Sequence, residues 1–333
     1  MKSQHRHCCS IILTATLVAL LIGCALPSAT VQQTGSVTTP KQAPVSGPIE
    51  MPRIPEEGFT TPVPVEEIVK PDEISEPVPG GVIDWGVGVV RARGSGVIDP
   101  GDPKPTRARL MAERAAVVVA QRNLLEIIKG VRVDSDTRVE NFFTRYDVIY
   151  SHVEGIVKGA RQVGPAKFDS LTGVVEVELE VNLTGPQSVA DALTPALTPS
   201  TGTQPPATAS AAVKEFFRQY SGLVLDAGNT GLKPALFPKI YDEAGNLLLD
   251  TREFYQYTGS TGQKVLHYIN RLDEIIARPE FARQPLVLKI KQVRGKLGAD
   301  IVLSKQDADR LKWLKDGARF LFDAGRFLVK LLL

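Results

Sequence analysis

Cysteine is nearly absent from this sequence. The 333 residues hold three, Cys8, Cys9 and Cys24, all within the first 24 positions. Nothing downstream can therefore form an intramolecular disulfide or a thiolate metal site. Histidine is almost as scarce. His5 and His7 stand near the start, which leaves only His152 and His267 for the rest of the chain. Aromatic residues make up 6% of the sequence, too few for a platform on which nucleic-acid bases stack. Charge of one sign is missing too, with 39 basic against 37 acidic residues. Without residues 1–23, which carry Lys2 and Arg6, the balance is 37 against 37. A neutral chain lacks the clustered excess of Lys and Arg that phosphate backbones require, so no nucleic-acid partner is expected. No apolar run reaches the roughly 20 residues of a spanning helix.

What is present begins with a pattern. Lys2 and Arg6 precede an apolar run of 12 residues from Ile11 to Ile22, broken only by Thr14 and Thr16. A basic start with a short apolar core is a secretory signal. It ends Leu21, Ile22, Gly23, Cys24, which resembles a bacterial lipobox. That resemblance implies cleavage after residue 23 and acylation of Cys24 with diacylglycerol and an amide-linked palmitate-type chain. Two or three chains, at about 0.8 kcal/mol per buried CH₂, anchor stably where one is marginal. Ala25 rather than Asp follows the cysteine, which favours the outer membrane by analogy with sorting in two-membrane bacteria. An ordinary cleavage site and an uncleaved anchor are the alternatives at Cys24.

Five segments are expected: a lipoprotein signal peptide at 1–23, Cys24 with a Pro-rich linker at 24–80, an α+β domain at 81–184, a Pro/Thr/Ser-rich linker at 185–212, and a second α+β domain at 213–333. Residues 25–79 hold 11 of the 24 prolines and almost no apolar periodicity, so they read as a tether. Its reach is about 170 Å as extended polyproline II and about 40 Å as a coil.

The first domain predicts the order β-α-β-α-β-β. Residues 82–93 read as a strand and 106–129 as a helix, with Thr106 as N-cap and Gly130 just past its end. Ala108, Ala112, Ala116, Ala120, Leu124 and Ile127 form a small-residue stripe that lets the helix lie close to a neighbour. Residues 131–139 predict a strand and 142–153 a helix. Residues 155–168 and 173–183 predict a hairpin turning near Asp169 to Gly173. In 174–181 the apolar residues alternate with Glu176, Glu178 and Glu180 on the wet face. The second domain predicts strands at 222–227, 237–242, 246–250, 286–293 and 300–303. A helix is expected at 265–277, a second capped by Ser304 and ending at Gly317, and a closing strand at 326–333.

Candidate chemistry is thin. Gly86 and Gly88 follow a strand, but Arg91 stands where a dinucleotide fingerprint needs its third glycine. Ser151 and His152 are adjacent, and neighbours on a helix do not face each other as nucleophile and base. His267 falls within a predicted helix. Asp134, Asp136, Asp242 and Glu243 read as turn or strand-end residues. Arg107, Arg109, Arg114 and Arg122 lie on the polar side of one helix, where solvent or an envelope partner meets them. No catalytic, metal or cofactor-binding residue is assigned, and no small-molecule substrate is identified.

A family pattern runs through the first domain. It comprises the alanines from Ala112, then Arg122, Asn123, Leu124, Leu125 and Glu126, then Gly130, Val131, Arg132 and Val133. Val153, Glu154, Gly155, Ile156, Val157, Lys158, Gly159 and Ala160 follow, and Val174 to Val181 completes it. Over about residues 82–184 this resembles the LPP-twenty-type lipoprotein family. It is similar to flagellar outer-membrane lipoprotein P and to the amino-terminal domain of flagellar T-type ring proteins. The second domain resembles a module attached to such proteins, through Gly222 to Ala227, Gly231 to Leu236, Pro238 to Asp242 and Ala299 to Ser304. The resemblance implies an enzymatically inactive, outer-membrane lipoprotein with its folded domains in the periplasm, a structural part of the envelope in the manner of a flagellar ring or disk. It implies partners of three kinds: membrane lipid through Cys24, further copies of the chain, or an envelope protein. The alternative reading is a lipoprotein that binds peptidoglycan or an outer-membrane protein and has no part in motility.

Overall fold

The computed structural model describes residues 74–99, 101–197, 209–253, 255, 266–270, 284–314, 317, 320–321 and 327–330. The expected signal peptide, Cys24 and the linker as far as residue 73 lie outside these. All described residues belong to one compact unit, and its architecture is α+β.

The first sheet is antiparallel. Strands β1 (Ser75–Val78), β2 (Gly81–Asp84) and β3 (Val89–Val97) lie in order beside β6 (Val174–Asn182). The short strands β4 (Arg161–Gln162) and β5 (Lys167–Asp169) pair with the far side of β6. β1 was expected to be tether. Its pairing with β2 from Ser75↔Asp84 to Val78↔Gly81 recruits the last linker residues into the sheet. β3 and β6 pair over nine residues, from Val89↔Asn182 to Val97↔Val174. As the alternation predicts, Val175, Val177, Leu179 and Val181 are buried while Glu176 and Glu178 are partly exposed; Glu180, expected on the same wet face, is instead buried between two arginines.

Helix α1 (Pro105–Gly130) crosses this sheet on its alanine stripe. Ala108, Ala112, Ala116, Ala120, Leu124 and Ile127 are all buried. The strand answers the stripe with Gly94 and Gly96. A Cβ on Gly94 would stand 2.1 Å from the Ala116 carbonyl oxygen, and one on Gly96 2.0 Å from that of Ala112. Helix and strand backbones thus approach as closely as atoms permit. The helix starts one residue earlier than expected. Pro105 takes the first helical position, where its missing N–H costs nothing, and Lys104 rather than Thr106 is the N-cap. Gly130 stays helical instead of stepping outside.

Residues 82–93, expected as one strand, are divided between β2 and β3, and β3 runs on to Val97. The order is thus β-β-β-α-α-α-β-β-β and not β-α-β-α-β-β. After α1 further expectations change. Residues 131–139 form a tight loop, not a strand, closed by a single bridge between Arg132 and Arg138. The Asp134 carboxylate holds it by accepting from Asp136 N–H and Thr137 N–H, both at 2.9 Å, and from the Thr137 hydroxyl at 2.7 Å. The helix expected at 142–153 appears as α2 (Glu140–Phe143) and α3 (Asp147–Lys158). Residues 155–158 are helical rather than strand, because Ile149, Val153 and Val157 carry a buried face through them. Part of the second linker is also folded. Helix α4 (Val189–Ala192) is capped by the Ser188 hydroxyl, and a 3-10 turn covers Thr194–Ala196, with Leu193 and Leu197 buried. Helix α5 (Ala211–Gln219), capped by Ser210, was not anticipated.

Two four-stranded sheets follow. One is wholly parallel, with strands β10 (His267–Ile269), β14 (Phe327–Lys330), β7 (Leu223–Asp226) and β11 (Leu286–Lys289) in that order. Leu223, Val224 and Leu225 are all buried, as a strand covered on both faces requires. The closing strand therefore lies inside a sheet between β10 and β7. The other sheet orders β12 (Gln292–Arg294), β13 (Asp300–Leu303), β8 (Lys239–Asp242) and β9 (Leu247–Asp250). Only β13 and β8 are parallel in it. The single strand expected over 286–293 is divided between β11 and β12, so it serves both sheets. Helix α6 (Lys305–Arg310) begins at Ser304 as predicted but closes at Leu311, short of Gly317.

The helix expected at 265–277 is contradicted at its start, where β10 pairs with β14. Tyr268 and Ile269 are buried there, and the Tyr268 hydroxyl donates to the Ala235 carbonyl at 2.9 Å and accepts from the Ala235 N–H at 3.0 Å. Residues 271–283 lie outside the described residues. Buried apolar residues from both expected domains join in one cluster, and the Trp85 ring meets Tyr268 edge-on at 6.0 Å.

Candidate functional site

The candidates named from sequence do not assemble. Cys24 lies outside the described residues. Ser151 and His152 are both exposed on α3, and among the described residues neither has a carboxylate partner that would orient a base. His267 sits on strand β10, on a different sheet. Gly86 and Gly88 belong to the turn between β2 and β3, where Asp84 accepts from Val87 N–H at 2.8 Å. Arg107, Arg109, Arg114 and Arg122 are exposed along α1, and Arg109 stacks over Phe168 at 5.1 Å. Among the described residues no group of three or more His, Cys, Asp or Glu is placed to hold a metal ion. Nor is any described helix long and apolar enough to cross a membrane.

Two polar constellations were not legible from spacing. The first joins loop 131–139 to the sheet of β8 and β13. Leu236 N–H and Phe237 N–H donate to the Arg132 and Val133 carbonyls at 2.9 and 2.8 Å, so the loop edge is paired like a strand. The Arg132 side chain forks onto the Glu76 carboxylate, donates to the Pro234 carbonyl at 2.7 Å and lies over Trp85 at 5.6 Å. Burial pushes the Glu76 carboxyl up, but the bonds and charge of Arg132, with help from Trp85, outweigh it and hold it below its usual value. Asp134 faces the Lys239 ammonium at 3.2 Å and the Arg252 guanidinium at 3.7 Å. Its burial is likewise outweighed, by Asp136 N–H, Thr137 and Lys239, and its carboxyl stays low. Arg252 also clasps Asp250 at 2.5 Å. Asp300 is the exception. It is 2% exposed, and burial pushes it up to about 6, relieved in part by Lys239 and reinforced by Asp134 and Asp136.

The second constellation is an open cleft of ≈ 800 Å³. Helix α3 forms one wall, the β4 edge and the end of β6 form the floor, and residues 186–195 form the other wall. The floor carries Arg161 and Glu180, the end of a cross-strand row of charges that continues across the sheet outside the cleft. Asp84, Arg91, Glu180 and Arg161 follow one another, with Arg91 to Asp84 at 3.6 Å, Arg91 to Glu180 at 2.7 Å and Arg161 to Glu180 at 2.5 Å. Glu180 is buried, yet the bonds and charges of the two arginines outweigh that burial and hold its carboxyl below the usual range. Arg161 remains 71% exposed. The far wall is rigid. The Ser188 hydroxyl donates to the Gly185 carbonyl at 2.6 Å and accepts from Asp191 N–H at 3.2 Å, while the buried Tyr255 hydroxyl donates to the same carbonyl at 3.3 Å.

Neither constellation presents a nucleophile with its base. The first is a clasp whose charges neutralise one another; the second is a recess able to hold a ligand. No curated protein matches this chain. A family model described as Treponema pallidum Tp0624, second domain, matches residues 222–329, from just ahead of β7 to within β14, and leaves the first sheet and its cleft outside the match.

Proposed function

We propose that this protein is a non-catalytic lipoprotein, held in the outer membrane through acylated Cys24, whose folded body stands in the periplasm as a structural or assembly component of the cell envelope. The observation that carries the reading is the short apolar segment ending at Leu21, Ile22, Gly23 and Cys24, followed by a proline-rich stretch. The body supports it, because the buried charges of Arg132, Asp134 and Asp250 are spent on internal pairs, with Glu76, the half-buried Lys239 and Arg252, that hold the fold together. The likeness of residues 82–184 to LPP-twenty-type proteins adds a flagellar ring or disk as the assembly to look for. A second reading, a lipoprotein that binds peptidoglycan or another envelope component, is favoured by the open cleft beside Arg161.

Metabolic labelling with an alkynyl palmitate tests the anchor. The wild type takes the label and fractionates with outer membranes, and Cys24→Ser does neither. A bare Cys24 thiol in the wild type, or a Ser variant that still fractionates with envelopes, overturns the proposal. Light scattering on protein lacking residues 1–24 separates the two readings, since an assembly component forms higher oligomers and its deletion impairs motility. Cosedimentation with purified sacculi marks the second.

A further inference from the structure

The cleft between α3, β6 and residues 186–195 has the volume of a small-ligand site. The one Lys or Arg among its described lining residues is Arg161, 71% exposed and fixed from beneath by Glu180. That carboxylate occupies one guanidinium nitrogen, and no other partner takes the remaining N–H groups among the described residues. A planar fork held in one orientation suits a carboxylate or a phosphate. The other charges decide between them. Glu180 and Asp191 lie in the same cleft, and two carboxylates repel a dianion more than a monoanion. The rest of the lining suits amides. Asn182 and Gln187 are exposed, and their side-chain amides make no hydrogen bond among the described residues. Ile156, Val181 and Pro195 supply small apolar contacts, His152 lines the α3 wall, and among the described residues no Phe, Tyr or Trp ring lines the cleft for a sugar to stack on.

Two backbone features keep the cleft open. Gly155 lines the α3 wall, and a Cβ there would meet nothing within 4 Å, so the helix presents bare backbone where most residues would project. On the opposite wall Gln187 adopts φ 54°, a left-handed conformation that a residue with a Cβ adopts at a cost. Its N–H donates to Asp191 at 3.0 Å, which holds the strained turn. Strain maintained at the rim of a recess is a mark of a binding site.

We infer that this cleft binds a short peptide through its free terminal carboxylate, which Arg161 receives, with the peptide amides laid along Asn182 and Gln187 and small side chains on the apolar wall. The site is independent of acylation at Cys24. Such a carboxylate has two sources, the end of a protein chain, in L-configuration, or a wall-type stem peptide ending in D-alanine.

The test is isothermal titration of the full chain in detergent with N-acetyl tetra-L-alanine, the same peptide ending in D-alanine, and the carboxamide of each. At least one free acid binds about tenfold or more tightly than its amide, the size of effect a charge-assisted pair gives. Preference for the L or D end names the source. Arg161→Gln removes the acid-over-amide preference while the variant, with Glu180 still paired to Arg91, unfolds cooperatively. Gly155→Val, which fills open space without touching the fold, weakens both acid and amide. Equal binding of acid and amide, no binding of any of the four, or an unaltered preference in Arg161→Gln overturns the inference.

Discussion

The Ser135 hydroxyl is held by the backbone of Asp300, a residue 165 positions away, which donates its N–H at 2.5 Å. Ala299 N–H donates to the same oxygen at 2.9 Å, and the hydroxyl donates in turn to the Arg294 carbonyl at 2.5 Å. One side chain from the loop after α1 thus satisfies three backbone groups where β12 turns into β13.

Ser135→Ala leaves those three groups without the hydroxyl in a site closed to water. It is expected to cost about 2–3 kcal/mol, read as a lower urea midpoint with an unchanged slope. Ser135→Thr keeps the oxygen and tests whether the loss is one of hydrogen bonds.

Gly295 is the other half of this contact. Its φ is 84°, and a Cβ on it would stand 2.1 Å from the Ser135 Cβ. Gly295→Ala combines left-handed strain with a clash, and is expected to destabilise by more than about 2 kcal/mol. Gly245, at φ 85° with only the Arg294 guanidinium at 3.6 Å, faces the strain without the clash, so Gly245→Ala is the milder variant. Thermal melts of the pair check the order.

Gly94→Val drives two methyls into the Ala116 carbonyl and the Ala120 backbone, which lies 2.3 Å from a built Cβ. α1 cannot retreat without emptying its whole alanine face, so the variant is expected to fail to fold, seen as loss of cooperative unfolding by circular dichroism. Val118→Ser on the outer face of α1, where Val118 is 55% exposed, stays within about 0.5 kcal/mol of wild type.

Asp300 gives stability a pH dependence of defined sign. Its folded value, about 6, lies above the 3.8 of an unperturbed aspartate, so the folded state holds the proton more tightly than the unfolded state. Its favourable contribution is complete below pH about 4 and is lost as pH rises through about 6. Asp300→Asn mimics the protonated acid, and its stability relative to wild type is expected to grow over that interval by about 2 kcal/mol. Asp134 and Glu76, held low, act in the opposite sense, losing their contribution as pH falls below about 4. Urea titrations of both proteins from pH 4 to pH 8 check this, and parallel curves would refute it.

Much was legible locally. The alanine stripe of α1, the alternation of β6, the Ser304 cap, the turn from Asp169 to Gly173 and the β8–β9 hairpin each depend on residues a few positions apart, so a periodicity or a cap reveals them. The β10 segment at His267 and the loop at 131–139 were misread for the complementary reason. Three residues around Tyr268 are too few to show a period, and they are strand because β14 lies beside them. Val131 and Val133 are buried as strand residues would be, but the carbonyls of Arg132 and Val133 are taken by Leu236 and Phe237, about a hundred residues on.

The sequence by itself determined the α+β class and the helix face that is buried, since each is a pattern within a short window. Tertiary structure alone decided that the buried Asp134 and Asp300 share one clasp with the half-buried Lys239 and Arg252, and that Arg161, Gly155 and Gln187 line one cleft. Charge pairing and recess shape depend on distances between residues far apart in the chain, and those distances exist only once the sheets have closed.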